Sequence, residues 1–125
     1  METREHITVR TFNFAVRVIK LAQFLDKKPG VPRTLANQLL RAGTSIGANV
    51  EEAQGGQSRA DFIAKMSIAL KEARETLYWL RLLQAAELCS ENQLAELATE
   101  AYEIVSILVA IVTKTKGNKG SSTKP

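Results

Sequence analysis

A single cysteine, Cys89, excludes an intramolecular disulfide and a cysteine-built zinc site, and it reads as a free thiol in a reducing compartment. The only histidine, His6, lies near the N-terminus, so histidine-based catalysis has almost nothing to draw on. Proline and glycine are scarce, at 3 and 7 in 125 residues, and several fall where helices should begin or end. No stretch alternates apolar and polar residues with the period of two that strands require. The longest apolar run, Ile104 to Val112, is interrupted by Ser106 and is far short of the ~20 residues of a membrane span. The start Met1-Glu2-Thr3-Arg4-Glu5 has no apolar segment behind a basic one, which argues against a secretory signal. The expectation is a soluble cytoplasmic protein that does not engage a membrane.

What is present is helical. Ala, Leu, Glu, Lys, Arg and Gln dominate, and 45% of the chain is apolar, enough for one compact core. The net charge of +4 is unevenly distributed. From His6 to Val50 seven bases face Asp26 alone, a net of +6, whereas Glu91 to Glu103 holds four glutamates and no base. Four more lysines follow Glu103. Such asymmetry fits either an anionic partner or association of unlike surfaces.

Four helices are predicted. The first runs from about Thr3 to Lys27, stopped by Lys28-Pro29-Gly30. It carries two apolar ridges, Phe12/Val16/Ile19 and Phe14/Val18/Leu21/Leu25, more than a helix buried on one side needs. The second begins at Pro32, continues through Leu35, Leu39, Ala42, Ile46, Val50 and Ala53, and stops at Gln54-Gly55-Gly56. Gly43 and Gly47 lie inside it at roughly 1 kcal/mol each relative to Ala, which implies that a neighbouring backbone approaches closely there. Ser58 with Asp61 opens the third helix, whose seam is Phe62, Met66, Ala69, Ala73, Thr76, Leu80 and Leu83 up to about Glu87. Ser90 with Gln93 caps the fourth, built on Leu94, Leu97, Ala101, Ile104, Leu108 and Ile111. Short connections between long helices imply an antiparallel up-and-down four-helix bundle over residues 1–116, with a flexible basic tail at 117–125. Val105, Ile107, Val109 and Val112 make the second half of the fourth helix apolar nearly all round. The apolar surplus predicts an oligomer whose interface draws on Phe14, Val18, Leu21, Ile107, Val109 and Val112.

Catalytic chemistry is not found. Glu72 and Glu75 have the spacing of a di-iron motif but lack its histidines, and with Lys71 and Arg74 they read as a solvated face. Gly55-Gly56 lacks the Gly-Lys-Ser/Thr of a phosphate loop. No enzyme, cofactor or metal is therefore expected. Two patterns remain open. Arg41, Ser45, Asn49 and Glu52 line one stripe of the second helix, as an exposed Arg-to-Glu face, a buried polar seam that sets register, or a ligand site. Arg10, Arg17, Lys20, Lys27, Lys28 and Arg33 form a basic set that is either a solvated face or a surface for RNA or DNA.

The segment from Gln38 to Ala53, containing Gln-Leu-Leu-Arg-Ala-Gly-Thr-Ser-Ile-Gly-Ala-Asn-Val-Glu-Glu-Ala, resembles a family of four-helix bundles encoded in intervening sequences of bacterial 23S ribosomal RNA genes, also labelled S23 ribosomal protein. Phe62 and the stretch Ala69 to Thr76 continue the likeness, which covers about Val9 to Thr115. Ala53 stands where the family often has glycine. The resemblance implies a ring-like homopentamer. Related bundles include the accessory variability determinant proteins of diversity-generating retroelements, which associate with a reverse transcriptase and nucleic acid. The leading reading is a homo-oligomer that binds RNA or DNA with little sequence preference. The other is a protein-interaction scaffold, such as an accessory subunit of a reverse transcriptase.

Overall fold

The computed structural model describes the backbone of residues 3–123 and the side chains of residues 7–117. The side chain of His6 and those of the basic segment beyond Gly117 lie outside the described residues. Four helices follow one another: α1 (Thr3–Asp26), α2 (Val31–Gln54), α3 (Arg59–Ala85) and α4 (Glu91–Thr123). Each packs on its sequence neighbours, and α1 closes the ring of four against α4, its lightest contact. With connections this short, the bundle is antiparallel, up-and-down.

The helix ends follow from local chemistry. Gly30 takes φ 93°, a left-handed conformation, and Pro32 then sits in the first turn of α2. Ser58 Oγ accepts the Asp61 N–H at 3.1 Å and caps α3. The Asp61 side chain reaches the Gln57 N–H at 3.3 Å instead of returning to Ser58. Ser90 and Gln93 form the full reciprocal box, with Gln93 N–H on Ser90 Oγ at 3.2 Å and Ser90 N–H on Gln93 Oε1 at 3.1 Å. α3 ends two residues before Glu87, which adopts φ 59°. The Leu88 N–H then bonds the Leu83 carbonyl at 3.1 Å, closing the turn as a Schellman motif. α4 continues past Lys116, where the sequence reading ended the bundle, through Gly117 to Thr123.

The core sits where the period of three and four places it. In α3 the seven seam residues named above are the seven buried ones. α4 buries Leu94, Leu97, Ala101, Ile104, Leu108 and Ile111, with Val112 beside them. In α1 the ridge Phe14/Val18/Leu21/Leu25 goes inward, whereas Phe12 remains 64% exposed. Gly43 and Gly47 decide which ridge that is. A Cβ on Gly43 would lie 2.7 Å from Val18 Cγ1, and one on Gly47 would meet the Thr11 carbonyl at 3.4 Å. The expected backbone approach is thus real at Gly47, while Gly43 admits a valine side chain. Among the described residues Thr11 and Thr76 are the buried polar ones, and each hydroxyl donates to a carbonyl one turn back at 2.8 Å.

Candidate assembly and binding surfaces

The basic set is divided by the fold. Arg10 grips α4 with a two-pronged bond to Glu100, Nε to Oε2 at 2.9 Å and Nη2 to Oε1 at 2.6 Å, and also reaches Glu103 at 2.6 Å. Arg10 and Glu100 are both largely shielded, the geometry in which a forked ion pair is strongest. The hydrogen bonds from Glu100 and then Glu103 raise the Arg10 pKa further above its ordinary value, so its charge is permanent. Arg17 meets Glu96 at 3.1 Å. The bases of α1 and the glutamates of α4, which looked like unlike surfaces in the sequence, therefore pair largely within one chain. Arg33 turns to Asp26, 3.3 Å from its carboxylate. Lys20, Lys27 and Lys28 stay exposed without a carboxylate partner among the described residues. Lys28 Nζ lies 4.9 Å above the Phe24 ring. Lys27 and Lys28 follow the C-terminus of α1, where positive charge offsets the helix dipole.

The expected interface also needs correction. Phe14, Val18 and Leu21 are at most 7% exposed and belong to the core of the single chain. Val112 is buried too, while Ile107 and Val109 are half-buried, Ile107 against the core. The surplus of α4 is largely absorbed by its own bundle, where Val105 and Ile107 pack against the core. The uncovered surplus is on α1. Val9, Phe12, Val16 and Ile19, spaced three, four and three, are 56%, 64%, 38% and 40% exposed. That is the spacing of a coiled-coil seam, left partly exposed among the described residues. Beside it α2 contributes Leu40 and Ala48, and two shallow hollows open between the helices. One lies between Phe12, Ala15, Thr44 and Gly47; the other runs from Ile19 to Leu40.

The polar stripe of α2 is not a buried seam. Ser45 Oγ donates to the Arg41 carbonyl at 2.7 Å, and Asn49 Nδ2 to the Ser45 carbonyl at 2.9 Å, so both side chains fold onto their own helix. Glu52 takes Lys65 of α3 at 2.8 Å. Arg41, half exposed, bridges to Glu75 and, at 3.5 Å, to Glu72 of α3. Glu75 also accepts the Trp79 indole N–H at 3.0 Å, and Trp79 holds the Tyr78 ring edge-on at 5.2 Å between centroids. The stripe is thus half of a polar rail along the α2–α3 junction. Its effect on α3 is a separation of charge. Glu72 and Glu75 turn to α2, while Lys71, Arg74 and Arg81 stay exposed on the outer side with Tyr78.

Sequence comparison adds a family. The model of the 23S rRNA-intervening sequence protein matches residues 5–110. The chain belongs to that family. A crystal structure of a protein of unknown function from the S23 ribosomal protein family of Bacteroides thetaiotaomicron VPI-5482 is similar, with a TM-score of 0.82 and 42% identity. The match covers 90% of this chain and 99% of that one. No curated protein sequence matches.

The described side chains hold no group of three His, Cys, Asp or Glu that could bind a metal ion. No described helix is long and apolar enough to cross a membrane. Cys89 is half-buried, and burial pushes its thiol pKa up while Lys28 draws it partly back. Sequence reasoning missed the outer face of α3 because Lys71, Glu72, Arg74 and Glu75 look like one mixed surface. The signal that separates them is angular: at 100° per residue, positions 71, 74, 78 and 81 share one side, and 72, 75 and 79 another.

Proposed function

We propose that this chain is a non-enzymatic helical scaffold that assembles with copies of itself and binds RNA or DNA through exposed bases with little sequence preference. The observation that carries the reading is the uncovered α1 seam, Val9/Phe12/Val16/Ile19. Fully burying side chains of this kind is worth roughly 1.5–3 kcal/mol each, and a contiguous apolar ridge flanked by grooves marks an interaction surface. A homopentameric ring is the assembly that the family resemblance favours. A ring repeats every surface charge around an axis, so the bases that stay exposed on one chain, Lys20, Lys27 and Lys28 among them, are multiplied into a surface that attracts a polyanion in the cytoplasm.

Light scattering tests the assembly. The wild type should exceed the 13.7 kDa of one chain, and Phe12→Glu with Val16→Glu should reduce it to that mass. A wild-type monomer at micromolar concentration would refute self-association. Absence of binding to any RNA or DNA at low salt would refute the second half. The α1–α2 hollows also suit a helix of a different protein, such as a reverse transcriptase. Co-purification of one specific protein that survives nuclease treatment, together with a monomeric chain, would favour that reading.

A further inference from the structure

The bases that the ion pairs leave over are not confined to α1. On α3 the outward side carries Lys71, Arg74 and Arg81, all exposed and none paired with a described carboxylate, along ~15 Å of helix. Tyr78 stands between Arg74 and Arg81 on the same side, 51% exposed. The carboxylates to either side of this stripe are engaged elsewhere. Glu72 and Glu75 bind Arg41 of α2, and Glu100, Glu103 and Glu96 bind Arg10 and Arg17 of α1. Glu51 of α2 remains, as do Glu87 and Glu91 at the α3–α4 turn beyond Arg81. The result is a strip of positive potential with an aromatic ring in its middle.

We infer that the outer face of α3 is a single-stranded nucleic-acid site, with Lys71, Arg74 and Arg81 on successive phosphates and Tyr78 stacked on an unpaired base. This rests on the proposal that the chain binds nucleic acid and places that activity on α3. A duplex hides its base faces, so the ring has value only for an unpaired strand. Base-plane stacking and phosphate contact do not read the sugar, so RNA and DNA strands bind alike. The ring is also pre-oriented. Trp79 packs edge-on against Tyr78, its N–H is tied to Glu75, and Glu75 is held by Arg41 across the helix junction. A ring already fixed in place loses less freedom when a base stacks on it. Arg41 and Trp79 are thus positioning residues for Tyr78.

The test uses fluorescence anisotropy with labelled oligouridylate and oligothymidylate of about 12 nucleotides, and a duplex of equal length. Tyr78→Ala should weaken both single strands about tenfold, while Tyr78→Phe keeps their affinity. The triple change Lys71→Glu, Arg74→Glu and Arg81→Glu should flatten the dependence of log affinity on log salt by about 2, from three phosphates at ~0.7 each. As Trp79 is the only tryptophan, its emission reports the site in the unaltered protein. Oligouridylate should quench it with the affinity that anisotropy reads. Several results would overturn the assignment: unchanged Trp79 emission on binding, duplex preferred over single strands, or oligoglutamate competing as well as oligouridylate. If instead Lys20→Glu with Lys27→Glu removes binding and the α3 triple change does not, α3 is the wrong face although the chain does bind nucleic acid. A wild type that binds none of the probes defeats both.

Discussion

Gly43→Ala should destabilise this protein, although helix propensity alone says the reverse. Alanine is favoured over glycine inside a helix by roughly 1 kcal/mol. The new Cβ, however, would lie 2.7 and 2.9 Å from the two methyls of Val18, about 1 Å inside ordinary carbon contact. Val18 cannot yield easily. It is fully buried, and a β-branched side chain in a helix has one strongly preferred rotamer. The helices α1 and α2 must part, and overpacking of this kind costs about 1–3 kcal/mol. The expected net loss is about 1 kcal/mol, read as a urea midpoint lowered by about 0.5 M for a slope near 2 kcal/mol/M. Protein concentration must be matched, because assembly would contribute to the apparent stability. Val18→Ala in the Gly43→Ala background removes the two methyl collisions and leaves a Cβ contact of 3.2 Å, so the double change should lose less than the sum, by about 1–2 kcal/mol. A Gly43→Ala variant as stable as wild type or more so, with no coupling to position 18, would refute the packing argument.

Two further outcomes follow from the α3–α4 turn. Glu87 holds a left-handed backbone at about 1–2 kcal/mol, so Glu87→Gly should raise stability by about 0.5–1 kcal/mol after glycine's greater freedom in the unfolded chain is offset; an unchanged or lower urea midpoint would contradict this. The Cys89 thiolate is disfavoured by burial and assisted by Lys28. Iodoacetamide near pH 8 should therefore alkylate the folded protein more slowly than the unfolded one, and Lys28→Glu should slow it further, whereas a faster reaction after that change would show that Lys28 does not act on the thiol.

The α3 seam and the caps at Ser58 and Ser90 could be read from order alone, because periodicity and capping are interactions within three or four positions. The two ridges of α1 could not be ranked in that way. Both are apolar and both have helical spacing, and the choice depends on Val18 and Thr11 meeting Gly43 and Gly47 of another helix. The expected interface residues differ for the same reason: Phe14, Val18 and Leu21 pack inward, into the core of the single chain. On α4, the apolar second half looked too broad for one bundle, but Val105 and Ile107 pack on the core at its margins.

Charge shows the same division. The excess of bases in the first half and of glutamates in the fourth helix is visible in the chain order. Which bases remain available is not, since Arg10 and Glu100 are 90 positions apart and meet only when α1 closes the bundle against α4. The sequence by itself determined four helices, their ends apart from that of α4, three of the four core faces and the 23S rRNA-intervening sequence family. Tertiary structure alone decided which ridge of α1 faces water, which carboxylates neutralise which bases, and hence that the outer side of α3 keeps its positive charge. Local periodicity is set by bonds along one helix, while burial and ion pairing depend on which helix lies alongside.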